Sequence, residues 1–367
     1  MLTKGDVYPI HQTPEPIAYT GAARNFYDRY FFNGYKLDED IFFAAALGVY
    51  PYVNVMDGAL SLIIDGVQHN LLASRAMHME RLDTQVGPIR VEVIEPLHQL
   101  RLIVDAPEHE VALDAVFTSR ALVQEEPRFT RRIGSQLVMD STRLTQNGSW
   151  QGSLSFRGKE IPITPENWLG TRDRSWGVRN IGAPDSQPNP EAPNMFQFYW
   201  LWAPINWEDG VTLYHLNDDE HGRAWNTHGV WVPLRGQGDP VEMAKVSSDI
   251  EYISGTRHAK VAKLRFETDD KRVAEITMKP RFHWYMKGVG YGHESFSHGS
   301  FHGELDTHFE EYALADVDDA MNLHIQGISD VEMVGDLGER KGRGVLEQLI
   351  AGPHAPSGFT QQLDMAP

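Results

Sequence analysis

The chain has 367 residues, no cysteine, and 51 Asp plus Glu against 33 Lys plus Arg, a formal charge of −18. That length suits two domains or two halves of one large one, and the negative field repels polyanions, which disfavours a nucleic-acid surface or an anionic membrane face. Without cysteine there are no disulfides, no thiolate catalysis and no Cys-ligated zinc, which fits a reducing compartment.

The N-terminal stretch MLTKGDVYPIHQTPEP has no apolar core, so no secretory signal is expected. The first helical periodicity falls over Asn25 to Tyr35. The apolar run IFFAAALGVYPYV from Ile41 is too short and too proline-interrupted to cross a membrane. A soluble, cytoplasmic chain with no membrane span is the expectation. Alternating segments closed by Gly, Pro, Asp or Asn then predict strands over 59–66, 89–96, 99–107, 110–121 and 149–158. After the proline-rich stretch Gly182 to Asn194, the pattern resumes over 195–204, 211–218, 229–234, 262–268, 273–286 and 309–316. A second short helix is expected over 345–352, and the tail beyond Gly352 reads as frayed or draped over the surface. So many strands with so few helices indicate an all-β chain of two consecutive antiparallel barrels or sandwiches, residues 1–185 and 186–367.

Charge is concentrated in GTRDRSWGVR, Gly170 to Arg179. On a strand Arg172, Arg174 and Trp176 share one face while Asp173 and Ser175 share the other. Two readings compete: a structural Arg–Asp pair with Trp176 as a plug, or an Asp173 held at a cavity. An arginine within about 4–6 Å would lower the Asp173 pKa, whereas an apolar pocket would raise it.

The motif Asp173, Arg174, Trp176, Gly177, preceded by the hairpin GSWQGSLSFRGKEIPI (Gly148 to Ile163), resembles the lipocalin-like family of bacterial carotenoid 1,2-hydratase (hydroxyneurosporene synthase), kievitone hydratase and fungal decalin Diels–Alder cyclases. Thr171 stands where that pattern carries an aromatic. The segments Gly87 to Asp105 and Gly290 to Leu305 extend the likeness. The resemblance implies two calycin-like barrels, no required cofactor, a bulky lipophilic alkene or polyene as substrate, and Asp173 as proton donor. Protonating an unactivated alkene needs an acid that stays protonated near neutral pH, and aromatic faces stabilise the resulting cation. Tyr199, Trp200, Trp202, Trp231 and Tyr291 are the aromatic candidates, with Arg172, Arg174 and Trp176 beside them; each aromatic has plain barrel core as its competing reading.

Histidine is dense between His283 and His308. His298 and His302 are candidate acid/base groups, and because no compact ligand spacing occurs, no metal site is expected. The acidic loops Asp218 to Gly222 and Asp316 to Asn322 read as solvated turns. The reading that follows is a cofactor-independent hydratase/dehydratase, isomerase or cyclase acting on a bulky hydrophobic terpenoid, steroid or polyketide-like substrate. A lipophilic-ligand carrier is the alternative, since such cavities bind without chemistry, and a metal-dependent enzyme is the third reading. The oligomeric state is left open.

Overall fold

The computed structural model describes residues 2–21, 23–183 and 196–367. It is nearly all β and builds two consecutive lipocalin-like barrels, the first nearly closed and the second a half-barrel. Most of the proline-rich stretch falls outside the described residues. The first sheet has fourteen strands and the second nine among the described residues. Every pairing is antiparallel, as short strands joined by tight turns require.

The strand Leu305–Ala313 belongs to the second half in sequence but pairs with Val67–Ala76 in the first sheet. It extends that sheet toward the Gly87 turn, where a Cβ would lie 3.3 Å from Leu305. The first barrel is filled by Phe32, Phe43, Trp150, Trp168 and their aliphatic neighbours. The second sheet curls over a core of Tyr214, Leu264, Phe266 and Met278. Between them lies a third apolar layer, in which Phe31, Phe42, Ala44 and Ala46 of the first half meet Trp284, Met286 and Val345 of the second.

That middle layer accounts for two expectations the structure corrects. Asn25 to Tyr35 lies on the strand Phe26–Lys36, and 345–352 lies at the end of Arg340–Ala351, not on helices. Both strands have runs buried on both faces, which removes the polar alternation that marks a strand with one wet face. Phe42–Tyr50 is buried at all nine positions for the same reason, so its continuous apolar run serves two cores. The C-terminal tail is anchored and not frayed: the fully buried Arg257 guanidinium donates to the carbonyls of Gly352, Gln361 and Asp364 and lies 4.2 Å from the Phe359 ring.

Gly170 and Gly177 bracket the charged motif because its strand, Trp168–Val178, is clamped between Phe26–Lys36 and Gln136–Phe156. A Cβ on Gly170 would sit 2.1 Å from the Asn33 carbonyl oxygen, which accepts the Trp150 indole N–H at 2.9 Å. Gly177 has φ +141°, and its Cβ would meet the Asp140 carbonyl at 2.1 Å. Gly170→Ala is therefore expected to destabilise the fold by roughly 3 kcal/mol, read as a lower denaturant midpoint at unchanged slope. A variant as stable as the parent would show that the three strands can part there.

Candidate active site

Strand register decides which side chains of the charged motif meet. Asp173 lies opposite Phe31 on one neighbouring strand and Thr145 on the other, and Ser175 lies opposite Arg29 and Arg143. Directly opposed residues share a face. Asp173, Ser175, Arg29, Phe31 and Arg143 thus project together into a cavity of about 600 Å³ lined by both halves of the chain. Arg172 points the other way and hydrogen-bonds Gln146. Arg174 pairs with Asp28 and packs 4.2 Å over the Tyr30 ring. Trp176 is 38% exposed. The motif's own arginines therefore do not neutralise Asp173, and none of Arg172, Arg174 and Trp176 lines the cavity.

What surrounds Asp173 is a charge cluster that five separate strands and a loop assemble. Glu126 is buried at 2% exposure. It accepts from Thr145 at 2.6 Å, the Trp202 indole at 3.0 Å and Arg143 at 3.1 Å, with His215 Nδ1 also at 3.1 Å. Glu347 accepts from Gln326 at 2.8 Å and the Trp200 indole at 3.3 Å, with His324 Nε2 at 2.9 Å. Arg143 lies 4.6 Å over the Trp200 ring.

Both glutamates resist the upward pull of burial, because Arg143 and their histidine and hydrogen-bond donors hold them below the ordinary carboxylate range. Asp173 has no such donors: no described side chain or amide hydrogen-bonds to its carboxyl. One side faces the void, and protein atoms crowd the rest. Burial pushes its pKa up to about 7; Arg143 and Arg29 oppose this, while the charges of Glu126 and Glu347 reinforce it. Of the three acids, Asp173 has the fewest donors and is the one that burial and its neighbours' charges hold toward the protonated form.

The far side of the void is a second polar pole. Arg179 continues the Asp173–Ser175–Gly177 face by one more alternate step and donates to Tyr291 Oη at 3.1 Å and His298 Nδ1 at 3.0 Å. Because His298 Nε2 lies 2.9 Å from the Val289 carbonyl, which only accepts, its proton sits on Nε2 and its Nδ1 accepts from Arg179. Burial, then Arg29 and Arg179, hold His298 well below the ordinary imidazole range. Arg29 is 3% exposed and donates one N–H to the Val289 carbonyl at 2.6 Å, while its Nε and Nη1 have no partner. Much of the remaining wall is apolar, with Phe129, Ile133, Val138, Phe196, Phe198 and Leu349, and Arg131, Ser141, Asn180, Gln197 and Ser297 interrupt it.

Of the residues singled out from sequence, Asp173, His298, Trp200 and Tyr291 meet at the cavity. His302 lies elsewhere, stacked 4.0 Å from Phe296 with Nε2 on the Ser295 carbonyl. Tyr199 stacks on His354 in the second core, Trp202 serves Glu126, and Trp231 packs under Arg340. Sequence reading missed Arg29, Glu126, Arg143, Arg179, His324 and Glu347. Arg179 was within reach, since period-two alternation from Asp173 leads to it; the others come together only through strand pairing.

Solved structures share this fold at low identity. A protein of Nitrosomonas europaea assigned as AttH superposes with a TM-score of 0.53 at 13% identity, covering 94% of this chain and 98% of that one. CghA in complex with Sch210972 gives 0.54 at 11% identity, covering 89% of each chain. A kievitone hydratase from Nectria haematococca overlays less well, at 0.44 and 11% identity, covering 95% and 96%. These neighbours belong to the group that the Asp173–Gly177 motif resembles. No curated protein matches the chain. The model of a family of unknown function, DUF8625, matches residues 2–360, and the chain belongs to that family.

Proposed function

We propose that this protein is a cofactor-independent acid–base enzyme, a hydratase/dehydratase or an isomerase or cyclase, acting on a bulky hydrophobic terpenoid, steroid or polyketide-like molecule. The observation that carries this reading is a carboxyl with no hydrogen-bond partner among the described residues, raised to about 7, facing a largely apolar void of about 600 Å³. A non-catalytic carrier needs the void but has no use for such an acid. CghA, of similar fold, has been captured with Sch210972, which supports a small molecule as the occupant.

In the proposed reaction Asp173 delivers its proton to a substrate double bond, or to a departing hydroxyl in the reverse sense. The carbon left electron-deficient is then opposed by the new Asp173 carboxylate and by the ring faces of Phe31 and Tyr291. Water addition, with the oxonium proton returned to the Asp173 carboxylate, completes hydration; removal of a neighbouring C–H proton by the same carboxylate completes isomerisation. Arg29 and Arg179 form the cationic end and orient a polar or anionic head group, while Phe129, Phe196 and Phe198 take the apolar body. His298 acts as a positioning residue that aims Arg179, since both its nitrogens are engaged.

The test is incubation with prenylated, steroidal and polyene compounds in D2O, with mass spectrometry for gain or loss of water, an isomer shift and deuterium incorporation. Compounds recovered unchanged while binding the protein tightly would favour the carrier. Arg179→Gln is expected to weaken binding of ligands that carry a carboxylate by roughly 10-fold or more, the worth of a lost charged hydrogen bond. Equal weakening for their methyl esters would remove the head-group assignment.

A further inference from the structure

We infer that His258, His283 and Asp319 form a binding site for one divalent transition-metal ion of the Zn²⁺ class. They come from the turn before Ala259–Glu267, from the strand Val273–Tyr285, and from the acidic turn ahead of His324–Gly335. One ligand atom of each lies within 4.8 Å of the others. None of the three lines the cavity that holds Asp173.

The protonation of His258 makes this more than a chance cluster. Its ring is fully buried, and Nε2 lies 2.8 Å from the Asn322 carbonyl oxygen. A carbonyl only accepts, so the proton is on Nε2 and Nδ1 presents a lone pair. That Nδ1 has no hydrogen-bond partner. It faces Asp319 Oδ1 at 3.3 Å. Two acceptors at that separation repel unless a positive centre lies beside both. The His283 ring stands 4.9 Å away at 81°, and no described residue hydrogen-bonds to it. A single proton could bridge one pair of these groups; a metal ion serves all three.

The His258–Asp319 pair has the spacing such an ion needs, and His283 has a ring nitrogen within 4.8 Å of both. Bonds of about 2.0–2.1 Å to nitrogen and oxygen put neighbouring tetrahedral ligands about 3.3–3.4 Å apart, the separation of His258 Nδ1 and Asp319 Oδ1. Two imidazoles and one carboxylate favour Zn²⁺ or Co²⁺ over Mg²⁺ or Ca²⁺, with water completing the shell. The outer partners are present as well: the Asn322 carbonyl fixes the His258 tautomer, and the Tyr285 hydroxyl donates to Asp319 Oδ1 at 2.6 Å.

The other histidine cluster, His293, His308 and Glu310, lacks the same credential. His293 Nδ1 accepts the amides of Ser295 at 3.2 Å and Phe296 at 3.0 Å. Its proton must then sit on Nε2, which turns a donor and not a lone pair toward Glu310. A metal on the first cluster would pin the 317–323 turn against two strands. That turn leads directly to His324, the Glu347 partner in the cavity wall.

The experiment is Zn²⁺ and Co²⁺ titration of the EDTA-treated, dialysed full chain, followed by calorimetry, elemental analysis after gel filtration and Co²⁺ visible absorption. One ion per chain is expected, with a higher melting temperature in Zn²⁺. Asp319→Ala and His283→Ala are expected to weaken Zn²⁺ binding by about 100-fold or more, and Tyr285→Phe by about 10–100-fold, the range for outer-shell partners. His293→Gln should leave uptake unchanged. Circular dichroism confirms that each variant is folded, and parental uptake tests the site without any variant. Absence of stoichiometric uptake by the parent overturns the inference. So does uptake that survives both Asp319→Ala and His283→Ala, or imidazole NMR showing His258 protonated on both nitrogens in the presence of Zn²⁺.

Discussion

Asp173→Asn is expected to lower turnover by roughly 10²–10⁴-fold while leaving ligand affinity nearly unchanged. Asparagine keeps the size of the side chain and resembles the neutral carboxyl, so what is lost is the transferable proton. In the proposed reaction, which begins from protonated Asp173, the parent protein should lose activity as pH rises through about 7, where that carboxyl ionises.

Stability supplies an independent reading of the same residue. The folded-state pKa lies above the ordinary aspartate value of about 3.9, so the fold favours the protonated form. The associated stability is complete below about pH 4, declines as pH rises toward about 7, and stays lost above it. Asparagine removes that decline. At pH 8 the variant should be at least as stable as the parent, and more stable by up to about 4 kcal/mol. An inactive variant that is no less stable identifies a proton donor. A variant with a depressed melting temperature at pH 8 and full activity per folded molecule would instead mean that Asp173 is an ionised structural partner, and the catalytic assignment would fail.

Glu126→Gln should be the most damaging single change to the fold, with a loss of about 3–5 kcal/mol at neutral pH. The carboxylate is buried, and its four neighbours Arg143, Thr145, Trp202 and His215 come from both halves of the chain. An amide cannot accept from all of them, and it leaves Arg143 short of a counter-charge. Because the folded-state pKa of Glu126 is depressed, its contribution is present above the usual glutamate range and lost as pH falls well below it. The gap between parent and variant should therefore narrow in acid.

Chemistry should shift with the same substitution. The Glu126 charge helps to keep Asp173 protonated, so its removal lowers the Asp173 pKa and moves the alkaline fall in activity to lower pH. Urea unfolding across pH, together with the pH–rate profile of the folded variant, measures both effects. If the profile does not move, Glu126 is a structural group without influence on the acid.

Much of the architecture is local enough to be read from residues alone. Segments such as IRVEVIEP and EVALDAVFTSRA have one face on the first barrel core and one in water, so their alternation survives in the sequence. The division of GTRDRSWGVR into two faces is likewise a consequence of strand geometry: Asp173 and Ser175 face the void while Arg172 and Arg174 turn away from it. Strands buried on both sides, Phe26–Lys36 and Arg340–Ala351, gave no such signal, because the opposite half of the chain supplies an apolar partner where water would otherwise select polar residues. The protonation of Asp173 was beyond local reasoning for a related cause. The nearest arginines in the sequence, Arg172 and Arg174, bond to other groups, whereas Arg143, Glu126 and Glu347 arrive through pairing across positions 126 to 347. Composition and spacing determined an all-β chain and placed an aspartate on one strand face; only the tertiary structure decided which charges surround that aspartate, since electrostatic energy depends on distance in space and not along the chain.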